Sequence, residues 1–154
     1  MIINIQSNIF DTEADGIIHQ CNCFHTMGGG IAKAIRAKYP EAYDADLQTK
    51  YGDYNKLGTY SIAQTSDGKY IYNMYSQYHY GSMGNLPGER QTNYESMYSG
   101  LFYIKNHAKK NNLKNLAVPH GIGCGLARGS WNIVHEIIKD IFQDDEITLY
   151  IHKI

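Results

Sequence analysis

The sequence predicts an α/β fold in which a mixed sheet is covered by helices on both faces. Three observations carry that prediction. Short β-branched runs alternate with stretches of helical apolar spacing, an Asp-Gly turn joins a strand pair near the middle, and two glycine-rich segments each link a strand to a helix. In open α/β sheets ligands sit outside the carboxyl ends of such strands, so the two segments are expected to face one cleft.

The elements follow in order. Ile2 to Ile5 and Gly16 to Cys21 are short and rich in β-branched residues and read as strands, with the polar Asp11-Thr12-Glu13 connection between them. From Gly30 the spacing of Ile31, Ala34, Ile35 and Lys38 is helical, until Pro40 biases Tyr39 away from the helical region. Pro40 then starts a second helix that runs toward Tyr51-Gly52. Gly58 to Ala63 and Lys69 to Tyr75 flank Ser66-Asp67-Gly68 and form a hairpin. Ser76 to Arg90 holds Gly81, Gly84, Pro87 and Gly88 and reads as an extended surface loop of functional length. Thr92 is the expected cap of a helix striped by Tyr94, Met97, Tyr98, Leu101, Phe102 and Ile104. A strand from Leu113 to Val118, a glycine-rich loop from Pro119 to Gly129, a helix from Trp131 to Ile141 and a strand from Ile147 to Ile151 complete the chain.

Composition bounds the function. The 154 residues are expected to form a single domain, 1–154, without repeat or linker. A formal charge of −1 supplies no global field for a nucleic-acid backbone or an anionic membrane. No apolar run approaches the roughly 18 residues that span a bilayer, and Met1 to Ile5 lacks the basic and apolar regions of a secretory signal, so a cytoplasmic location is expected. Cys21, Cys23 and Cys124 have no metal-ligand or thioredoxin spacing; neither metal nor cofactor is expected. Tyrosine supplies fourteen of the nineteen aromatic residues, and its stacking face and polar tip suit a purine or ribose as well as a half-exposed surface.

The glycine-rich segments carry the chemistry. Gly28-Gly29-Gly30 lets the backbone approach a ligand and offers amides at a helix N-terminus, which is an anion-binding arrangement. It is neither the dinucleotide fingerprint nor a P-loop. Pro119 to Trp131 repeats the device with glycines at alternate positions, so two opposed nests of amides are available to a diphosphate without net positive charge.

His19-Gln20-Cys21-Asn22 followed by Gly28-Gly29-Gly30-Ile31-Ala32 resembles the first ligand loop of the macrodomains, and Pro119 to Trp131 resembles their diphosphate loop. The resemblance covers essentially the whole chain and is strongest to the ADP-ribose-1″-phosphate phosphatases, a subgroup found in phages, bacteria and yeast. It implies a three-layer α-β-α fold with a central mixed sheet and, as partner, a small-molecule ADP-ribose derivative. Nucleic acid would enter only as an ADP-ribosylated adduct. By position, the resemblance implies that Asn8 and Ile9 contact adenine, Asn8 standing where many members have aspartate, and that Tyr150 packs on the adenine. It implies that Asn22 contacts the distal ribose. The backbones of Gly28, Gly29, Gly30 and Ile31, and of Gly121, Ile122, Gly123, Cys124, Gly125 and Leu126, would surround the diphosphate and distal ribose.

His19 stands where many macrodomains have asparagine and the phosphatase subgroup has histidine, which makes His19 and Asn22 the expected catalytic residues. An imidazole exchanges protons near neutrality and so can activate water, attack phosphorus or stabilise the transferred group; a fixed strand histidine with only a binding role is the alternative. A branch of the family that removes ADP-ribose from glutamate uses a lysine and an aspartate, and here Gln77 and Ala127 stand in those places. The expected activity is therefore hydrolysis of ADP-ribose-1″-phosphate to ADP-ribose and phosphate, with hydrolysis of ADP-ribosyl adducts or ADP-ribose binding alone as alternatives. His25, His79, His120, Arg90, Arg128, Tyr78 and Tyr80 are candidate ligand contacts from the loops.

Overall fold

The computed structural model describes residues 1–81 and 89–154. The expected loop from Ser76 to Arg90 therefore lies partly outside the described residues. Six strands, β1 (Ile2–Gln6), β2 (Gly16–Cys21), β3 (Tyr60–Gln64), β4 (Tyr70–Tyr75), β5 (Asn115–Pro119) and β6 (Thr148–Lys153), form one sheet in the order β1-β6-β5-β2-β4-β3. Every neighbouring pair is parallel except β3 and β4, the hairpin. Helices α1 (Gly30–Lys38), α2 (Pro40–Leu47), α3 (Tyr94–Lys110) and α4 (Trp131–Phe142) complete the α/β architecture.

Strand alternation sorts the side chains into two cores. Ile17 and Cys21 of β2 join Ile71 and Tyr75 of β4 under Ile35 of α1 and Ala42 of α2. Ile18, Tyr72 and Met74 face the other way, against Met97, Leu101 and Ile104 of α3 and Val134, Ile138 and Phe142 of α4. Most of these side chains are wholly buried, and each large one contributes about 1.5–3 kcal/mol of transfer free energy. Because β2 is buried along its whole length, its polar residues need internal partners.

Two element ends differ from the sequence reading, each for a local reason. Thr92 does not cap α3; the Asn93 side chain accepts from the Ser96 amide at 2.9 Å instead. The strand expected from Leu113 begins at Asn115, because Asn112 is left-handed (φ 59°) and the Leu113 amide turns back to the Ala108 carbonyl at 2.9 Å, finishing α3. The Asp15 carboxylate then captures the Lys114 amide at 2.6 Å.

A polar chain runs through the first core. The His19 ring donates from Nε2 to Asn73 Oδ1 at 2.6 Å, across the parallel register that sets these residues side by side. Asn73 Nδ2 donates to the Ala42 carbonyl at 2.8 Å and to Ser61 Oγ at 3.0 Å. Ser61 Oγ lies 2.8 Å from the Tyr75 hydroxyl, which donates to Asp46 Oδ1 at 2.6 Å. Burial raises the Asp46 pKa, outweighing the Tyr75 bond and nearby positive charge, which lower it. The chain ties β2, β3 and β4 to α2.

Candidate functional site

The carboxyl ends of β2 and β5 open into a cleft of about 550 Å³. Both glycine-rich loops line it, as their strand-to-helix positions require. On one side stand Asn22, Thr26, Met27, Gly28, Gly29, Gly30 and Ile31. On the other stand Gly121, Ile122, Gly123, Gly125, Leu126 and Ala127.

In the first loop, α1 begins with Gly29 as its cap residue and no side chain capping its amides. Among the described residues the amides of Gly28 through Ala32 meet no acceptor; the first bond of the helix is Lys33 N to the Gly29 carbonyl. His25 and Met27 hold left-handed backbone, φ 57° and 39°, conformations that cost energy outside glycine. Bonds from Tyr43 Oη to the His25 carbonyl at 2.9 Å and from Arg36 to the Thr26 carbonyl at 3.0 Å hold that turn. Asn22 closes it from within, accepting from Phe24 N at 2.8 Å and donating to Thr26 Oγ1 at 2.6 Å.

The second loop leaves the amides of Gly121, Gly123, Gly125, Leu126 and Ala127 without acceptors among the described residues. Its tight turns occupy the remaining donors: Ile122 N meets the Pro119 carbonyl, Cys124 N that of Gly121, and Gly129 N that of Gly123. Gly123, at φ +74°, must be glycine, since a Cβ there would stand 2.8 Å from Met97 Cε and 2.9 Å from Gln20 Oε1. Leu126 is 83% exposed and reaches toward Gly29 at the mouth of the cleft.

Among the described residues that line the cleft there is no Asp, Glu, Lys or Arg. Its side-chain polarity comes from Gln20, Asn22, Gln77 and Gln91, with the Thr26 and Tyr80 hydroxyls and the His120 ring. Burial, then the nearby charges of Lys153 and His135, lowers the His120 pKa, and its ring packs on Trp131 with centroids 4.4 Å apart. The Cys21 thiol, pushed well up mainly by burial, stays protonated. No group of three or more His, Cys, Asp or Glu among the described residues is arranged to hold a metal ion, and no described helix is long and apolar enough to cross a membrane.

The structure places His19 away from the cleft lining. It is wholly buried and faces Asn73 and α2 because odd-numbered residues of β2 point into the first core. Desolvation lowers its pKa to about 4, so the ring is neutral at physiological pH. With Nε2 donating to Asn73, the other ring nitrogen lies 3.8 Å from the Cys21 sulfur.

Asn8, Ile9, Cys124 and Tyr150 also lie outside the cleft lining. Asn8 caps a short turn, accepting from the Phe10 amide at 2.9 Å. Ile9 is buried in the first core, with Tyr150 packed against the same cluster. Cys124 packs on the second core. Of the remaining candidates, His120 and Tyr80 line the cleft. His25 is bonded to Thr49, His79 is stacked on Phe24, Tyr78 donates to the Gly52 carbonyl, Arg90 lies over the Tyr94 ring, and Arg128 is exposed within the second loop but absent from the cleft lining. Gln77 and Ala127 both line the cleft. The sequence reading assigned no role to Gln20 or Gln91; strand alternation beside His19 was the available signal for Gln20.

A mixed sheet whose described residues turn two sets of unpaired amides into one cleft, with no Asp, Glu, Lys or Arg among the described lining, defines an α/β domain with the donor arrangement that suits an anion. The Macro domain family matches residues 18–138, and this chain belongs to that family. It is 30% identical over 141 residues to an uncharacterised 17.5 kDa protein of Enterobacteria phage T4, covering 89% of this chain and 86% of that one. It is 29% identical to the ADP-ribose glycohydrolase OARD1 of Bos taurus, covering 90% of this chain and 82% of that one. A shorter match, 50% identical over 44 residues, joins 28% of the chain to 22% of an ADP-ribose 1″-phosphate phosphatase of Aspergillus oryzae. In structure it resembles the macrodomain of Mycobacterium tuberculosis DarG, with a TM-score of 0.80, 19% identity and coverage of 100% and 98%.

Proposed function

We propose that this protein binds ADP-ribose derivatives in the cleft and hydrolyses ADP-ribose-1″-phosphate to ADP-ribose and inorganic phosphate. The observation that carries the reading is two sets of amides unpaired among the described residues, Gly28 to Ala32 in the first loop and Gly121, Gly123, Gly125, Leu126 and Ala127 in the second, lining one cleft whose described residues include no Asp, Glu, Lys or Arg. Such donors bind a diphosphate through main-chain dipoles that need no reorganisation. Asn22 orients the distal ribose from the turn it closes. Water attacks phosphorus, the bond from phosphorus to the sugar oxygen breaks, and that oxygen takes a proton to leave ADP-ribose. With His19 enclosed, the proton-transfer role falls to His120, the described cleft-lining side chain whose ordinary pKa range lies nearest neutrality.

Purified protein given ADP-ribose-1″-phosphate with a chelator present is expected to release phosphate. As a base, His120 predicts kcat/KM that falls as pH drops through its lowered pKa, and His120→Gln flattens that limb. No turnover at high enzyme concentration overturns the phosphatase reading.

A second reading is favoured by the length of the match to OARD1: water attack at the anomeric carbon of an ADP-ribosyl adduct. Gln77 and Ala127 supply neither a lysine nucleophile nor a carboxylate, so this route depends on water held by the amides. Release of free ADP-ribose from a modified protein or DNA strand, without phosphate release from the monoester, decides for it.

A further inference from the structure

We propose that Gln20 and Thr92 are positioning residues, a buried relay that sets the second glycine loop in its binding geometry; the proposal rests on the reading that this loop holds the diphosphate of ADP-ribose. Ser76 Oγ donates to Gln20 Oε1 at 2.6 Å. Gln20 Nε2 spends one proton on Gln77 Oε1 at 2.8 Å and the other on Thr92 Oγ1 at 3.0 Å. The Thr92 hydroxyl donates onward to the Gly123 carbonyl at 2.6 Å. Each donor is used, and Gln20 and Thr92 are both buried, so the relay has one low-energy arrangement.

Its end point is the centre of the loop. Thr92 Oγ1 and Gly129 N together hold the Gly123 carbonyl, which fixes the peptide plane between the free amides of Gly123 and Gly125. The same short segment secures the far arm, since the amides of Gln91 and Thr92 meet the Ala127 carbonyl at 2.8 and 3.1 Å. Thr92 is itself bridged to Gln77, two residues past the end of β4. The carboxyl ends of β2 and β4 therefore dictate where the second loop presents its donors. Gln20 has this task because even-numbered residues of β2 face α3 and the second loop, whereas His19 faces α2.

Thr92→Val keeps the branched shape and removes the hydroxyl, whereas Thr92→Ser keeps the hydroxyl. Calorimetric titration with ADP-ribose is expected to show affinity lower by about tenfold in Thr92→Val and close to the parent in Thr92→Ser. In the free proteins, the amide resonances of residues 121–127 are expected to shift in the valine variant and return in the serine variant. A merely structural role would lower thermal stability and leave the affinity of the folded protein unchanged, which overturns the proposal. Parent-like resonances and affinity in Thr92→Val also overturn it. If the parent itself binds no ADP-ribose, the functional reading fails, while the resonances still decide whether the relay sets the loop. Should Thr92→Val not fold, Gln20→Met breaks the same relay one link earlier and is judged by the same two measurements.

Discussion

Acidification from pH 6.5 to 4 is expected to remove about 3 kcal/mol of stability through His19 alone. The ring is fully buried, its folded pKa is about 4, and its unfolded value is 6.5. Between those values the unfolded chain binds a proton that the folded protein does not, so stability rises with pH across this window. The contribution is complete above about pH 6.5, falls as pH drops toward 4, and levels off below that. His107, His120 and His152 are shifted in the same direction, so the parent's whole acid limb is steeper than His19 alone would make it. His19→Asn removes the titrating ring and is expected to flatten the dependence by His19's share. Thermal melts of both proteins across this pH range make the comparison; parallel curves would show that His19 is not the buried neutral group described here.

The largest expected effect on binding is at Gly129. A Cβ there would lie 2.6 Å from the Gly123 carbonyl oxygen, which is backbone and has no rotamer by which to yield. Gly129→Ala must therefore break the bond from Gly129 N to that carbonyl and open the second loop. The expected outcome by calorimetry is an ADP-ribose affinity about 100-fold weaker, about 3 kcal/mol. Gly125→Ala is the control for stability, because a Cβ there meets nothing within 4 Å and the free protein is expected to melt within about 0.5 kcal/mol of the parent. Undiminished affinity in Gly129→Ala would mean that the second loop does not grip the ligand.

The first effect arises where neighbouring residues of one motif part company. His19, Gln20 and Asn22 stand within four positions, yet one is sealed in the first core, one braces the second loop and one closes the first. The strand's two-residue period separates His19 from Gln20, and the end of β2 at Cys21 releases Asn22 into the turn. The family resemblance and the proton chemistry of an imidazole make His19 the expected catalyst. The folded chain buries it beneath α2, a property of which helix covers which face.

Local sequence alone determined a good deal. β-Branched runs, the Asp-Gly turn, Pro40 and the two glycine segments specified the alternation of strands and helices, the hairpin and the positions of both glycine-rich loops, because backbone sterics and side-chain periodicity act over a few residues. The boundaries at Asn93 and Asn115 escaped that reading because competing caps and a carboxylate from residue 15 decided them. Only the tertiary structure decided which amides remain free, that the described cleft lining carries no charged side chain, and that Gln20 and Thr92 hold the Gly123 carbonyl. Those facts depend on partners 31 to 72 residues apart, whose meeting follows from strand order and packing rather than from any short-range preference of the chain.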